Sequence, residues 1–183
     1  MNVVVFGASR SPNAEDRQLA FELGIRLGAA GHVVVNGGGP GLMDETLRGA
    51  KTVHAKTHGV RLEKQGRVHS VHADQIEHFH KLWDRQKRLI GLGDAYIALP
   101  GGIGTFYELF EVLALKNAHQ MNPHIPLILL GRQIEAVKTL LASMIHYGYA
   151  AEKCWAFISF AQDLDECMDI LARLPETGSA VSH

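Results

Sequence analysis

Hydrophobic and polar positions along this chain follow two alternating patterns. Short apolar runs rich in β-branched residues predict buried strands, and they fall at 3–6, 32–35, 95–99, 125–130 and 156–160. Apolar residues at helical spacing predict helices between them, at 14–30, 40–51, 73–92, 105–118, 133–146 and 161–174. Strands of this kind that alternate with helices favour an α/β fold, whose mostly parallel sheet is covered by helices on both faces.

Length and composition favour a single globular domain. The chain has 183 residues, of which 46% are hydrophobic and 20% are charged, and this length is enough to bury a sizeable core. We expect one domain over 1–175 and a flexible C-terminal tail over 176–183. A net charge of −1 gives no bulk attraction to nucleic acid or to a membrane surface, so neither is an expected partner.

The sequence also favours a cytoplasmic location. No window is apolar for long enough to span a bilayer, and the N-terminal sequence MNVVVFGAS lacks the basic region of a signal peptide. Cys154 and Cys167 form neither a metal-binding nor a redox motif, which is typical of a reducing compartment.

Three loops rich in small residues follow predicted strands. They are Gly7-Ala8-Ser9, GGGPG at 37–41 and GGIGT at 101–105. Ligands of open α/β sheets bind beyond the carboxyl ends of the strands, where these loops are expected. Glycines also serve as plain tight turns. Three such loops in one domain nevertheless favour an anion site built from backbone N–H groups and helix N-termini.

Two common nucleotide-binding motifs are missing from these loops. Leu42 stands where a dinucleotide fingerprint has its third glycine, and the segment THGVRLEK offers only Glu63 as a ribose-binding carboxylate. No glycine loop continues into the lysine and the serine or threonine of a P-loop. An intact dinucleotide or a nucleoside triphosphate is therefore disfavoured, and a single phosphate is the favoured anion.

Glu108 lies near the start of the helix that follows the third loop. Helical side chains lean toward the N-terminus, so its carboxylate can point back to the anion site. The alternative is a simple charge–dipole contact, worth about 0.3–1 kcal/mol. A carboxylate beside a phosphate needs a nearby cation, and the preceding predicted helix carries Arg85, Lys87 and Arg88. Arg85 and Arg88 are three residues apart and share a helix face, whereas Lys87 is expected to be solvated.

The sequence PGGIGTFYE at 100–108 resembles the signature of the "Lonely guy" (LOG) family of phosphoribohydrolases, whose members are also labelled lysine-decarboxylase-like proteins. In that family an arginine precedes the proline of the motif by fifteen residues, and Arg85 occupies this position. The segments GGGPGLMDETLRGA at 37–50 and FGAS at 6–9 are similar to the other two loops of the family. The resemblance extends over roughly the first 130 residues.

The resemblance implies a Rossmann-like three-layer domain, a homodimer or larger homo-oligomer, and an enzyme that needs no metal or organic cofactor. The implied reaction hydrolyses the N-glycosidic bond of a nucleoside 5′-monophosphate, either AMP or a cytokinin riboside 5′-monophosphate, to the free base and ribose 5-phosphate. The implied catalytic residues are Arg85 and Glu108. The residues expected to bind the substrate are Ser9, Gly37, Gly38, Gly39, Gly101, Gly102, Gly104 and Thr105.

The chain departs from the family pattern in places. Gln86 and Leu82 stand where the family usually has lysine and methionine, and the stretch 54–80 matches only loosely. Four histidines crowd this region, at His69, His72, His78 and His80. We expect them at the surface or along the substrate site rather than at a metal, and we expect Phe79 and Trp83 either to be packing residues or to border the base pocket.

Two other functions are compatible with the same loops. Molybdenum-cofactor carrier proteins look similar in fold and in their glycine loops, and they bind a phosphate-bearing pterin without cleaving it. A nucleotide-sensing module would likewise bind without turnover. The presence of both Arg85 and Glu108 favours the enzyme.

Overall fold

One sheet organises the protein in the computed structural model, which describes residues 1–11, 13–63, 66 and 68–173. Within these residues, seven strands pair in the order β4-β3-β2-β1-β5-β6-β7, and every pair is parallel. This confirms the predicted α/β class. The strands are β1 Asn2–Phe6, β2 Val33–Asn36, β3 Thr57–Leu62, β4 Gln75–Phe79, β5 Ala95–Ala98, β6 Leu127–Leu130 and β7 Ser159–Ala161.

Helices cover both faces of the sheet, as the buried parallel strands require. They are α1 Ala14–Ala29, α2 Leu42–Thr52, α3 Leu82–Gly91, α4 Ile103–Asn117, α5 Ile134–His146 and α6 Leu164–Ala172, and a 3₁₀ helix covers Glu152–Phe157. Asn13 caps α1, because its side chain accepts a hydrogen bond from the backbone N–H of Glu15. Gly31 follows the end of α1 with a φ of 78°.

The two faces of β1 show how the layers form. Successive side chains of a strand point to opposite faces, so Val3 and Val5 pack on the layer that contains α1, α2 and α6. Val4 and Phe6 pack on the opposite layer, which contains α3, α4 and α5. All four are at most 1% exposed, so β1 lies at the centre of a three-layer core.

Several predicted boundaries were wrong. The segment 73–92 is not one helix: it forms β4 and then α3. β3 was absent from the predicted strands as well. Pro40 is not the first residue of a helix, because α2 begins at Leu42 after Gly41, whose φ is 72°. The predicted strand at 156–160 divides between the 3₁₀ helix and β7, and α6 starts only at Leu164. The predicted tail at 176–183 lies outside the described residues.

The order of the strands fixes where a ligand can enter. The chain moves from β1 outward to β4, returns beside β1 as β5, and then continues outward to β7. The carboxyl ends of β1 and β5 therefore flank the topological switch point, where open α/β sheets bind their ligands. The loops that follow these two strands are the first and third glycine-rich loops of the sequence.

Candidate active site

A cavity of about 360 Å³ opens at this switch point. We call it the α4 cavity, because the first turns of α4 form one of its walls. The loop after β1 forms a second wall, and side chains of α2 and α3 complete it. The residues that line it are Gly7, Ala8, Ser9, Arg10, Met43, Leu82, Arg85, Gly102, Ile103, Gly104, Thr105, Tyr107 and Glu108.

A buried ion pair lies on the cavity wall. The Arg85 Nη1 atom donates to the Glu108 Oε1 atom at 2.6 Å, and the two side chains are only 8% and 10% exposed. The same Nη1 also donates to Gln86 Oε1 at 3.0 Å, and Arg85 Nε donates to the Val60 carbonyl at 3.0 Å. β3 and α3 thus hold the guanidinium in one orientation, with its charge against a carboxylate from α4.

The second glycine loop makes room for this guanidinium. A Cβ atom placed on Gly37 would lie 2.1 Å from Arg85 Nη2 and 3.0 Å from Met43 Sδ. The adjoining Gly38 is itself tied down, because its N–H donates to Asn36 Oδ1 at 2.8 Å and its carbonyl accepts from the Ser70 N–H at 2.9 Å. Gly37 therefore leaves the space that the Arg85 guanidinium occupies, and the loop itself does not line the cavity.

The third glycine loop is anchored by the segment between β6 and α5. Gln133, just before α5, accepts a hydrogen bond from the Gly101 N–H at 2.7 Å and donates to the Gly101 carbonyl at 3.0 Å. Gly102 is the N-cap of α4 and has no side-chain capping bond. The N–H groups of the first helical turn consequently face the cavity at the positive end of the helix dipole.

The residues predicted from the sequence fall into two groups. Ser9, Arg85, Gly102, Gly104, Thr105 and Glu108 line the α4 cavity. A Cβ on Gly102 or on Gly104 would meet nothing within 4 Å, so both present bare backbone to open space. The other four predicted residues are not among those that line the cavity, and they are Gly37, Gly38, Gly39 and Gly101.

Sequence reasoning assigned none of five further side chains to the site, although all of them line the cavity: Arg10, Met43, Leu82, Ile103 and Tyr107. Arg10 was detectable, since it directly follows Ser9 in the first loop. Burial raises the pKa of the Tyr107 phenol, and the neighbouring Glu111 and Glu108 carboxylates raise it further. Tyr107 therefore stays protonated at neutral pH and can donate a hydrogen bond at the cavity edge.

The other basic residues of α3 point away from the cavity. Arg88 forms an exposed ion pair with Glu77 of β4, in which Nε lies 2.8 Å from Oε2. Arg85 and Arg88 therefore do not act together, although they are three residues apart. Trp83 is 64% exposed, so its predicted packing role was wrong, whereas Phe79 does pack against the core.

The predicted histidines lie near β4, away from the ion pair. His72 Nδ1 lies 3.0 Å from Asp44 Oδ1, and His78 contacts Glu63.

Over the described part of the chain, no three histidine, cysteine, aspartate or glutamate side chains are placed to hold a metal ion. Within the same residues, no helix is both long enough and apolar enough to cross a membrane.

Comparisons with known proteins show which family this chain resembles in sequence. A family model described as "Possible lysine decarboxylase" matches residues 43–171. The cytokinin riboside 5′-monophosphate phosphoribohydrolase of Mycobacterium marinum is 24% identical over 177 residues, which cover 93% of this chain and 92% of that protein. The protein of the same name from Mycobacterium tuberculosis is 31% identical over 112 residues, or 60% of each chain.

Solved structures share the fold over almost the whole chain. The Moco carrier protein from Chlamydomonas reinhardtii superposes with a TM-score of 0.71 at 25% identity, covering 94% of this chain and 98% of that one. The molybdenum cofactor binding protein from Rippkaea orientalis gives a TM-score of 0.69 at 24% identity, with 93% of each chain covered. Since the family model matches well over half of the sequence, this chain belongs to the LOG family of lysine-decarboxylase-like proteins.

Proposed function

We propose that this protein hydrolyses the N-glycosidic bond of a nucleoside 5′-monophosphate, AMP or a cytokinin riboside 5′-monophosphate, and releases the base and ribose 5-phosphate. The observation that carries the proposal is the buried Arg85–Glu108 pair on the wall of the α4 cavity, beside the start of α4. A cavity of about 360 Å³ lies within the usual range for small-molecule sites, about 300–1,000 Å³.

Glu108 supplies the negative charge that this reaction needs. As the bond from ribose C1′ to the base nitrogen breaks, the electron pair leaves with the base and the sugar becomes oxocarbenium-like. The carboxylate stabilises this positive charge and accepts a proton from the water whose oxygen bonds to C1′. The base takes up a proton from solvent as it leaves.

Arg85 holds the carboxylate in place and offsets negative charge near the departing base. Its guanidinium is fixed by Glu108, Gln86 and the Val60 carbonyl, so its charge is oriented before the substrate enters. Preorganised charge of this kind lowers the barrier because it needs no rearrangement at the transition state.

The start of α4 binds the 5′-phosphate in this proposal. The first-turn N–H groups and the Thr105 hydroxyl donate to the phosphate oxygens, and Arg10 at the cavity rim adds a positive charge. The N–H of Gly101 is already bonded to Gln133, so its part is to position the loop. Gly37 acts indirectly, through the room that it leaves for Arg85, and Gly38 and Gly39 complete the same loop.

We also propose that a second copy of the chain covers the outer face of α4. Ile103 is 92% exposed and Tyr107 is 42% exposed, and both border a shallow surface groove with Phe106 and Phe110. Apolar patches of this kind mark contact surfaces. Light scattering of the wild type and of Ile103→Asp tests this assembly: a wild type that is already monomeric contradicts it.

A carrier of a phosphate-bearing ligand is the alternative function, since Moco carrier proteins share the fold. A decarboxylase is disfavoured, because no lysine lines the α4 cavity among the described residues.

Incubation of the protein with AMP, followed by chromatography of the products, tests the proposal. Adenine and ribose 5-phosphate in equal amounts support the enzyme, whereas bound and unaltered AMP supports a carrier or sensor.

A further inference from the structure

A second cavity, of about 210 Å³, lies at the opposite end of the sheet. We call it the Lys116 cavity. Leu127 and Ser159, which begin β6 and β7, both line it, so it opens at the amino ends of these strands. The α4 cavity lies at the carboxyl ends of β1 and β5, and the two cavities share no lining residue among those described.

Lys116 places a charged group inside the protein beside this cavity. The residue is only 1% exposed, although it lies in the last turn of α4. Its Nζ atom donates to the carbonyls of Phe157, at 2.7 Å, and of Ile125. These carbonyls and the C-terminal end of α4 carry only partial negative charges, so they do not neutralise the ammonium.

Among the described residues, the cavity wall adds positive charge and no negative charge. Besides Lys116, these lining residues include Arg173 but neither aspartate nor glutamate. Burial lowers the pKa of Lys116 to about 8, and no charge on a described residue contributes to this shift. The amine therefore remains mostly protonated at neutral pH. A buried charge is ordinarily paired, because leaving it alone costs several kcal/mol.

We propose that the Lys116 cavity is a binding site for a small oxyanion, a phosphate or a carboxylate. Within the described part of the chain, Lys116 uses two of its three N–H donors on backbone carbonyls, which leaves one for a ligand. Arg173 and the Ser159 hydroxyl supply further donors at the wall. The bound anion would neutralise the buried ammonium from the side of the cavity.

The experiment observes Lys116 itself, which separates this site from the phosphate site at α4. The side-chain carbon signals of Lys116 are followed by NMR in wild-type protein labelled with ¹³C-lysine. Inorganic phosphate is added in one series, sodium acetate in a second, and sodium chloride at matched ionic strength in a third. We expect a saturable change with phosphate, with acetate or with both, together with a rise of the Lys116 pKa from about 8 toward its ordinary value.

Two variants test which positive side chains contribute to the anion response of Lys116. Arg173→Gln should weaken the anion response of Lys116 by about tenfold, the effect of losing a single favourable contact. Lys87→Met, which removes an exposed positive charge on α3, should leave it unchanged. A response to phosphate alone or to acetate alone supports the site and identifies its anion. If neither anion shifts the Lys116 signals more than sodium chloride does, the proposal is wrong, and Lys116 has only the structural role of bonding the Ile125 and Phe157 carbonyls.

Discussion

Gly37 and Arg85 occupy adjoining space that only a glycine leaves open. A Cβ on Gly37 would lie 2.1 Å from the Nη2 atom of Arg85, well inside van der Waals contact. The opposite side of the guanidinium is bonded to Glu108 and to the Val60 carbonyl. The glycine loop after β2 therefore determines where the positive charge of the candidate active site lies.

Gly37→Ala is expected to displace the guanidinium. The clash is with the end of a long side chain, so the protein relieves it by moving Arg85, and stability falls by only about 1–3 kcal/mol. A displacement of about 1 Å is enough to lower kcat by about 10²-fold. Gly91→Ala is the control on the helix that carries Arg85, since a Cβ there meets nothing within 4 Å. Steady-state AMP hydrolysis by both variants measures the difference, and equal kcat values would contradict this role of Gly37.

Arg85→Ala and Arg88→Ala should differ in both stability and activity. The Arg85–Glu108 pair is buried, so removal of the arginine leaves a buried carboxylate and costs about 3–5 kcal/mol. The Arg88–Glu77 pair is largely exposed, and its loss costs about 0–1 kcal/mol. Urea denaturation and AMP hydrolysis of both variants test this ranking. A larger loss of activity in Arg88→Ala, with both proteins folded, would reverse the assignment.

The phosphate should account for much of the preference for a nucleotide. Two or three charge-assisted hydrogen bonds from the start of α4, at about 1.5–3 kcal/mol each, favour AMP over adenosine by about 10²–10⁴ in kcat/KM after desolvation is offset. We expect kcat to fall for adenosine as well, because phosphate binding positions the ribose against Glu108. Equal kcat/KM values for the two substrates would mean that the glycines after β5 form only a tight turn.

Lys116 should make stability rise with pH under alkaline conditions. The pKa of Lys116 is about 8 in the folded protein, whereas its ordinary value of 10.5 applies to the unfolded chain. Between pH 8 and pH 10.5 the unfolded chain therefore binds more protons than the folded protein does. Below pH 8 the folded protein bears the full cost of burying the charge. As the pH rises from 8 to 10.5 this cost is lost, and the free energy of unfolding increases by about 3 kcal/mol at most. The free energy of unfolding of the wild type minus that of Lys116→Met, in phosphate-free buffer, should increase over this window. A constant difference would contradict the lowered pKa.

The sequence predicted the centre of the sheet better than its edge. Residues 3–6 of β1 and the whole of β5, with the sequence AYIA, are buried and almost entirely apolar, so their pattern indicates a buried strand. β4 has the sequence QIEHF and is largely exposed at the edge of the sheet. Its polar residues resemble the beginning of the helix that follows. Its pairing with β3 depends on residues about seventeen positions away, which local periodicity does not reveal.

The site was predictable only in part, for a similar reason. The spacing between Arg85 and the PGGIGT motif located the ion pair through family resemblance, and the glycine loops indicated the end of the sheet at which ligands bind. The two hydrogen bonds between Gln133 and Gly101 join residues 32 positions apart, and Gln133 belongs to no motif. The clearance between Gly37 and Arg85 is likewise a tertiary contact with no local signal.

Turnover of AMP by Glu108→Gln is the most direct test of the proposed mechanism. Glutamine keeps the size of the side chain and an oxygen that can accept from Arg85, so the variant should fold and bind AMP with a Kd within about tenfold of the wild type. The negative charge needed at the transition state is lost, and kcat for adenine release should fall by about 10²–10⁴-fold. Single-turnover hydrolysis and equilibrium binding of AMP, measured on the same folded preparations, give both numbers. A kcat within a few fold of the wild type would remove Glu108 from the reaction and contradict the proposed mechanism.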